Sequence, residues 1–215
     1  MPSKYIVYSP IMVFLFVGFI ISTGVPTSLS AAENPYHIVI LGDSLSSGLG
    51  VEPEQAYPSL IQAHFEETGQ HHIKIYNGSI SGSTTAGALS RLKWFLRVKP
   101  DMLILALGAN DGLRGLSTSR MEQNLSACIE LAREKGMTII LAGMKIPPNY
   151  GREYARAFEQ TFENLAKNYD LALIPFLLTD VAGKPELNQA DGIHPNADGH
   201  KIIARTVLET LLEQL

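Results

Sequence analysis

Ser44 stands in a glycine-bracketed polar turn, Gly42-Asp43-Ser44-Leu45-Ser46-Ser47-Gly48, entered from the apolar run that begins at His37. A serine hydroxyl is a poor nucleophile at neutral pH and needs an adjacent base. The chain offers six histidines. His37 opens a strand, His64, His71 and His72 lie on a polar helix end or loop, and His200 lies in the last helix. His194 differs from all of these. It sits in an Asp-x-x-His turn stiffened by Pro195, with Asp191 three residues back. In a tight turn that carboxylate reaches the imidazole, where it would set the tautomer and stabilise the imidazolium, the two tasks of the acid in a serine triad. Acyl transfer also requires donors aimed at a tetrahedral oxygen. Gly82 can offer a backbone N–H with no side chain in the way, Asn110 a side-chain amide, and Ser44 its own N–H. Taken singly, Gly82 reads equally as a helix-entry turn, Asn110 as a loop cap, and Asp191 as a turn cap beside a surface histidine. Taken together they supply a nucleophile (Ser44), a base (His194), an acid (Asp191) and an oxyanion hole (Ser44, Gly82, Asn110). Asp43 competes for the role of acid. As the nucleophile's neighbour it reads as a brace of the turn, and Asp111 as a brace of the Asn110 loop.

These residues need a frame that brings them together. The spacing predicts helices over 56–68, from Thr84 or Thr85 through Val98, over 119–135, 152–169 and 196–212. Between them lie five strand-like runs, 37–41, 72–76, 102–107, 138–142 and 172–174. Met102-Leu103-Ile104-Leu105-Ala106-Leu107 is apolar without alternation, which fits a strand buried on both faces of a parallel sheet. Five alternations of strand and helix predict an α/β fold, a parallel sheet covered on both faces, with the flavodoxin-like order 2-1-3-4-5. Ser44, Gly82, Asn110 and the Asp191–His194 turn each follow the C-terminal end of a strand. In a parallel sheet those ends share one edge.

The 215 residues suit one domain, and a 46% apolar composition is enough for a sizeable core. The net charge of −4 is spread thinly, with no basic stripe to suggest nucleic acid. Residues 1–32 stand apart. No charge occurs between Lys4 and Glu33, and Ile11 to Ile21 is an apolar run with the length of a secretory core. Small residues follow at Ser28, Ser30, Ala31 and Ala32. This predicts a signal peptide cleaved near Ala32, a domain over 33–215, and an exported, periplasmic or secreted protein. The alternative is a retained membrane anchor, although Gly24 and Pro26 interrupt the stretch and its apolar part is short for a span of about 20 residues. Cys128, the one cysteine, lies on an apolar helix face and reads as core.

Five blocks carry a resemblance: Gly42 to Gly48, Ser81 to Gly87, Leu107 to Gly115, Ile146 to Gly151 and Asp191 to Asn196. In that order they resemble the motifs of the SGNH (GDSL) hydrolase family, and in detail its bacterial thioesterase I, lysophospholipase and arylesterase subgroup. The resemblance covers essentially all of residues 33–215. It implies a three-layer α/β/α sandwich on a five-stranded parallel sheet, with the same nucleophile, base, acid and oxyanion donors. It also implies mobility in the Asp111–Leu116 loop, for which Gly112 and Gly115 provide the freedom. Ala109 departs from the glycine frequent there.

The expected reaction is hydrolysis of a small-molecule acyl ester or thioester through an acyl-enzyme on Ser44, without metal or organic cofactor. Leu113, Leu116, Ile146, Pro147 and Tyr150, on two loops beside the third and fourth strand ends, are the candidate acyl-binding residues. Contact with lipid aggregates is compatible with this, and no obligate protein partner is implied. A carbohydrate O-acetylesterase would use the same motifs, and a degenerate binding module would keep the fold. A phosphate-binding loop is disfavoured, since no lysine occurs between His37 and Lys74.

Overall fold

The continuous apolar runs become strands in a computed structural model that describes residues 1–5 and 34–215. The expected signal peptide or anchor lies almost wholly outside the described residues. In chain order the elements are β1 (Tyr36–Gly42), α1 (Ser44–Ser47), α2 (Tyr57–Glu67), β2 (Ile73–Asn77), α3 (Ala88–Phe95), β3 (Met102–Ala106), α4 (Ala109–Leu113), α5 (Thr118–Glu134), β4 (Thr138–Ala142), α6 (Arg152–Tyr169), β5 (Ala172–Ile174) and α7 (Ala197–Leu212). The five strands form one parallel sheet in the order β2-β1-β3-β4-β5. This is the flavodoxin-like order expected from the sequence.

Two helical layers cover the sheet. Helices α3, α5 and α6 pack side by side on one face, and α2 packs against α7 on the other. The central strands are therefore buried on both faces. Every residue of β3 is buried, as are Ile38 to Gly42 of β1. In-register neighbours Ile40, Ile104 and Ile140 cross the middle of the sheet. Cys128 is buried within the α5 core face, and burial pushes its thiol up to about 12. The outer edge of β2 is closed by a side chain: the Gln62 amide accepts from Ile75 N–H at 2.8 Å and donates to Ile73 C=O at 3.3 Å. Such pairing removes backbone groups that an exposed edge would offer to another strand.

Three local expectations differ from the structure. The helix expected to run unbroken to Val98 is α3 alone, flanked by 3-10 turns at Thr85–Gly87 and Leu96–Val98. Thr84 makes no side-chain cap, and the Thr85 hydroxyl instead donates to Asp111 at 2.6 Å, because a buried carboxylate needs donors. The polar turn around Asn110 is a short helix, α4. Gly112 within it is a packing residue. A Cβ there would lie 2.5 Å from Ile146 Cγ2 and 2.8 Å from a Phe158 ring carbon, so the absent side chain serves close approach to the core.

Candidate active site

β1 delivers Ser44. The strand ends at Gly42, and Asp43 caps the following turn by accepting from Leu45 N–H at 3.1 Å. The turn is one round of helix, closed by Gly48 in the left-handed region. Two further bonds pin it. The Ser46 and Tyr57 hydroxyls are 2.7 Å apart, and the Asn77 amide donates to Ser46 C=O at 2.8 Å. Ser44 is the first residue of α1, where a backbone N–H has no intrahelical acceptor and is free for a ligand.

The loop after β5, residues 175–196, brings the base. His194 Nε2 lies 2.9 Å from Ser44 Oγ, and His194 Nδ1 lies 2.6 Å from Asp191 Oδ2. Asp191 Oδ1 accepts from Ile193 N–H at 2.9 Å and His194 N–H at 3.0 Å. The His194 backbone N–H, its ring and the Ile193 N–H hold the Asp191 carboxyl at a pKa of about 2. An ionised carboxylate can only accept, so Nδ1 carries the proton and Nε2 presents its lone pair to the Ser44 hydroxyl. The loop is held in place by Gln189. Its N–H donates to His194 C=O at 2.8 Å, and its amide to Leu49 C=O at 2.6 Å and Pro195 C=O at 2.9 Å.

The other donors arrive on two loops that brace each other. Asn110 begins the second position of α4 and lines the same cavity as Ser44 and His194. Gly82 lies in the β2–α3 loop at φ +75, a conformation that favours glycine, and its N–H makes no hydrogen bond to any described residue. Gly82 does not line the cavity; its carbonyl accepts from Arg114 at 2.8 Å. Buried Asp111 accepts from Thr85 N–H at 2.9 Å and the Thr85 hydroxyl, so it ties α4 to the Gly82 loop. Its brace thus spans two loops. Arg91 completes the frame. It donates to Gly42 C=O at 3.0 Å, Gly78 C=O at 3.3 Å and Ser83 Oγ at 2.7 Å, clamping the end of β1 to the same loop.

Asp43 is almost wholly buried, and its Oδ2 accepts no hydrogen bond. Burial pushes its carboxyl up to about 6, against the opposing pull of Leu45 N–H, the nearby Asn110 side chain and His194. Asn110 makes no well-formed hydrogen bond to it.

A cavity of about 370 Å³ opens beside Ser44. Leu113, Ile146 and Pro147 line it. Leu116 and Tyr150 do not, which corrects the reading of the two loops. The Tyr150 hydroxyl donates to Leu113 C=O at 3.0 Å and Leu116 C=O accepts from Tyr154 at 2.7 Å, so these residues brace the loops from outside the cavity. Leu45, Met144, Phe176, Leu178 and Ile193 supply most of the remaining apolar wall. The surface is chiefly hydrocarbon. Among the described residues, no group of three His, Cys, Asp or Glu side chains is placed to hold a metal ion.

Residues 40–202 match the GDSL-like Lipase/Acylhydrolase family. The chain belongs to that family. Similar curated proteins include an arylesterase of Vibrio mimicus, 37% identical over 187 residues, covering 86% of this chain and 93% of that protein. Another is thioesterase 1/protease 1/lysophospholipase L1 of Escherichia coli (strain K12), 38% identical over 168 residues, 78% of this chain and 79% of that protein. Among solved structures, that of TesA superposes with a TM-score of 0.79 at 37% identity, covering 83% of this chain and 99% of its own.

Within this GDSL-like frame, Ser44, Asn110 and His194 line one cavity, and Asp191 is hydrogen-bonded to His194. The sequence reading missed Arg91 and the Phe176–Leu178 wall. Arg91 had a signal: it falls three residues after Ala88 and four before Phe95, on the buried face of α3, where a cation needs acceptors. Phe176 and Leu178 had none, since their segment has no periodicity.

Proposed function

We propose that this chain hydrolyses carboxylic esters and thioesters of extended acyl groups through an acyl-enzyme on Ser44. The observation that carries the reading is the continuous relay Asp191–His194–Ser44 opening onto a hydrocarbon-walled cavity. His194 Nε2 takes the Ser44 proton as Oγ attacks the carbonyl carbon. The tetrahedral oxyanion is held by the Ser44 N–H, the Asn110 amide and the Gly82 N–H. His194 returns the proton to the departing alcohol or thiol. Water then attacks the acyl-enzyme with His194 again as base, releasing the acid and restoring Ser44.

Asn110→Ala is expected to lower kcat by on the order of 10²–10³ with the Tm unchanged, the loss typical of one oxyanion donor. Steady-state kinetics on p-nitrophenyl butyrate measure it, and an unaltered kcat removes Asn110 from the oxyanion hole.

The apolar wall favours acyl-chain hydrolysis over sugar deacetylation. A p-nitrophenyl ester series should show kcat/KM rising from acetyl toward octanoyl, by up to about fourfold for each fully buried methylene. A maximum at acetyl would support an O-acetylesterase instead. Ala182 lines the cavity yet is exposed, so Ala182→Phe can fill the cavity without disturbing the core. It should cost octanoyl ester roughly tenfold in kcat/KM, the worth of about two buried methylenes, and leave acetyl ester unaffected.

Export belongs to the same reading. It is supported by the uncharged stretch from Tyr5 to Ala32, its apolar run from Ile11 to Ile21 and the small residues that follow.

A further inference from the structure

The rim of the site carries an unusual distribution of exposed apolar groups. Five loops follow the C-terminal ends of the five strands: residues 43–56, 78–87, 107–117, 143–151 and 175–196. Each carries one exposed large apolar side chain, respectively Leu49, Ile80, Leu116, Tyr150 and Ile193. Their exposures run from 37% at Tyr150 to 57% at Ile80. Elsewhere in residues 34–215 the exposed large apolar side chains are Trp94 on α3, with the Arg97 guanidinium 3.1 Å over its ring, and Leu212 and Leu215 at the chain end.

The five loops are hydrogen-bonded to one another as a collar. Gln189 joins the last loop to Leu49 C=O. Ile80 N–H donates to Gly42 C=O, where the first loop begins. Arg114 joins the third loop to Gly82, and Tyr150 joins the fourth to Leu113. The collar is continuous with the acyl cavity, because Ile193 belongs to both. It also holds a cation. Arg114, two residues from Leu116, reaches Gly82, two residues from Ile80.

We propose that this collar docks the enzyme on a phospholipid surface, from which an acyl chain passes directly into the cavity. The inference rests on the acyl-ester reading. Exposed apolar side chains arranged around a mouth mark an interaction surface. Continuity with a hydrocarbon-walled cavity selects an acyl-chain layer as its partner, and the guanidinium among them selects a layer that bears phosphate. Docking in this orientation spares the substrate a transfer through water, which for a long acyl chain is the costly step.

The test uses the full chain with Ser44→Ala, which leaves vesicle lipids intact, and vesicles of phosphatidylcholine with phosphatidylglycerol. The Ser44→Ala chain should cosediment with the vesicles. Adding Leu49→Ser and Ile80→Ser should weaken that binding by roughly 100-fold, about tenfold for each side chain. Residues 1–32 are common to both proteins, so the difference reports on the collar. With Ser44 restored, the Leu49→Ser, Ile80→Ser chain should hydrolyse monomeric p-nitrophenyl butyrate at the parent rate. Equal vesicle binding by the two proteins, or none by either, overturns the proposal. Failure of the parent to hydrolyse butyrate ester would instead strike the acyl-ester reading, and the binding comparison would still decide whether the collar meets lipid.

Discussion

Ser44→Ala should lower kcat on p-nitrophenyl butyrate by on the order of 10⁶ while the protein stays folded. The two halves of that expectation have separate causes. The rate loss follows from removal of the hydroxyl oxygen that His194 Nε2 faces, 2.9 Å away, so no acyl-enzyme can form. What remains is the set of donors and the cavity, which stabilise attack by water only weakly. The fold is retained because the bonds that shape α1 come from neighbours. Asp43 caps it, Ser46 meets Tyr57, and Asn77 meets the Ser46 carbonyl. Ser44 is partly exposed, and an alanine there buries no unpaired group of its own. A Tm within about 1–2 °C of the parent is expected, in keeping with a stability change inside ±0.5 kcal/mol. Intact mass after treatment with a fluorophosphonate gives an independent readout. The parent gains one phosphonyl group and the variant none. Turnover near the parent rate would sink the assignment of Ser44.

The sheet was legible because buried parallel strands announce themselves as unbroken apolar runs. The bounds of α6 and β5 agree with the sequence reading residue for residue. In α6 the apolar residues recur at helical spacing through Phe158, Phe162 and Leu165, and β5 is enclosed by Asp170 and Pro175. The polar end of the site was legible for a different reason. Ser44 and Asn110 sit in short helical turns close behind β1 and β3, and Gly82 and the Asp191–His194 turn lie in the loops that follow β2 and β5, so chain order places all of them at one edge of the sheet.

The apolar half of the site was not legible in the same way. Its wall joins Leu45 after β1, Met144 after β4, and Phe176 and Leu178 after β5. These residues share no local pattern and meet only because β1, β3, β4 and β5 are consecutive in the sheet. Leu116 and Tyr150 misled for the complementary reason. Loop position places a side chain near a site without setting its direction, and here the Tyr150 hydroxyl bond to Leu113 C=O accounts for the ring's place outside the cavity. Asp111 shows a third kind of limit. It was legible as a brace, but its partner Thr85 lies 26 residues away on a different loop.

The division of labour between the two oxygens of Asp191 leads to the second large effect. Oδ1 accepts from the Ile193 and His194 backbone N–H groups, and Oδ2 accepts from the His194 ring. In Asp191→Asn the two backbone donors require the amide oxygen at the Oδ1 position. The amide nitrogen is therefore directed at His194 Nδ1. An NH₂ group is a donor, so Nδ1 must become the acceptor and the ring proton moves to Nε2. Nε2–H then faces Ser44 Oγ with a proton where a lone pair is needed. The turn keeps its backbone bonds, His194 keeps its place, and the cavity is untouched, so KM should hold while kcat falls by on the order of 10⁴. Because Asp191 is partly exposed, water competes for the imidazole and works against the largest losses. That competition acts on the tautomer alone and leaves the split between kcat and KM intact. Fluorophosphonate labelling should slow in parallel with kcat, since it needs the same proton transfer from Ser44. A fall in kcat/KM carried mainly by KM would mean that Asp191 holds the loop rather than the tautomer, and unchanged kinetics would remove it from the relay.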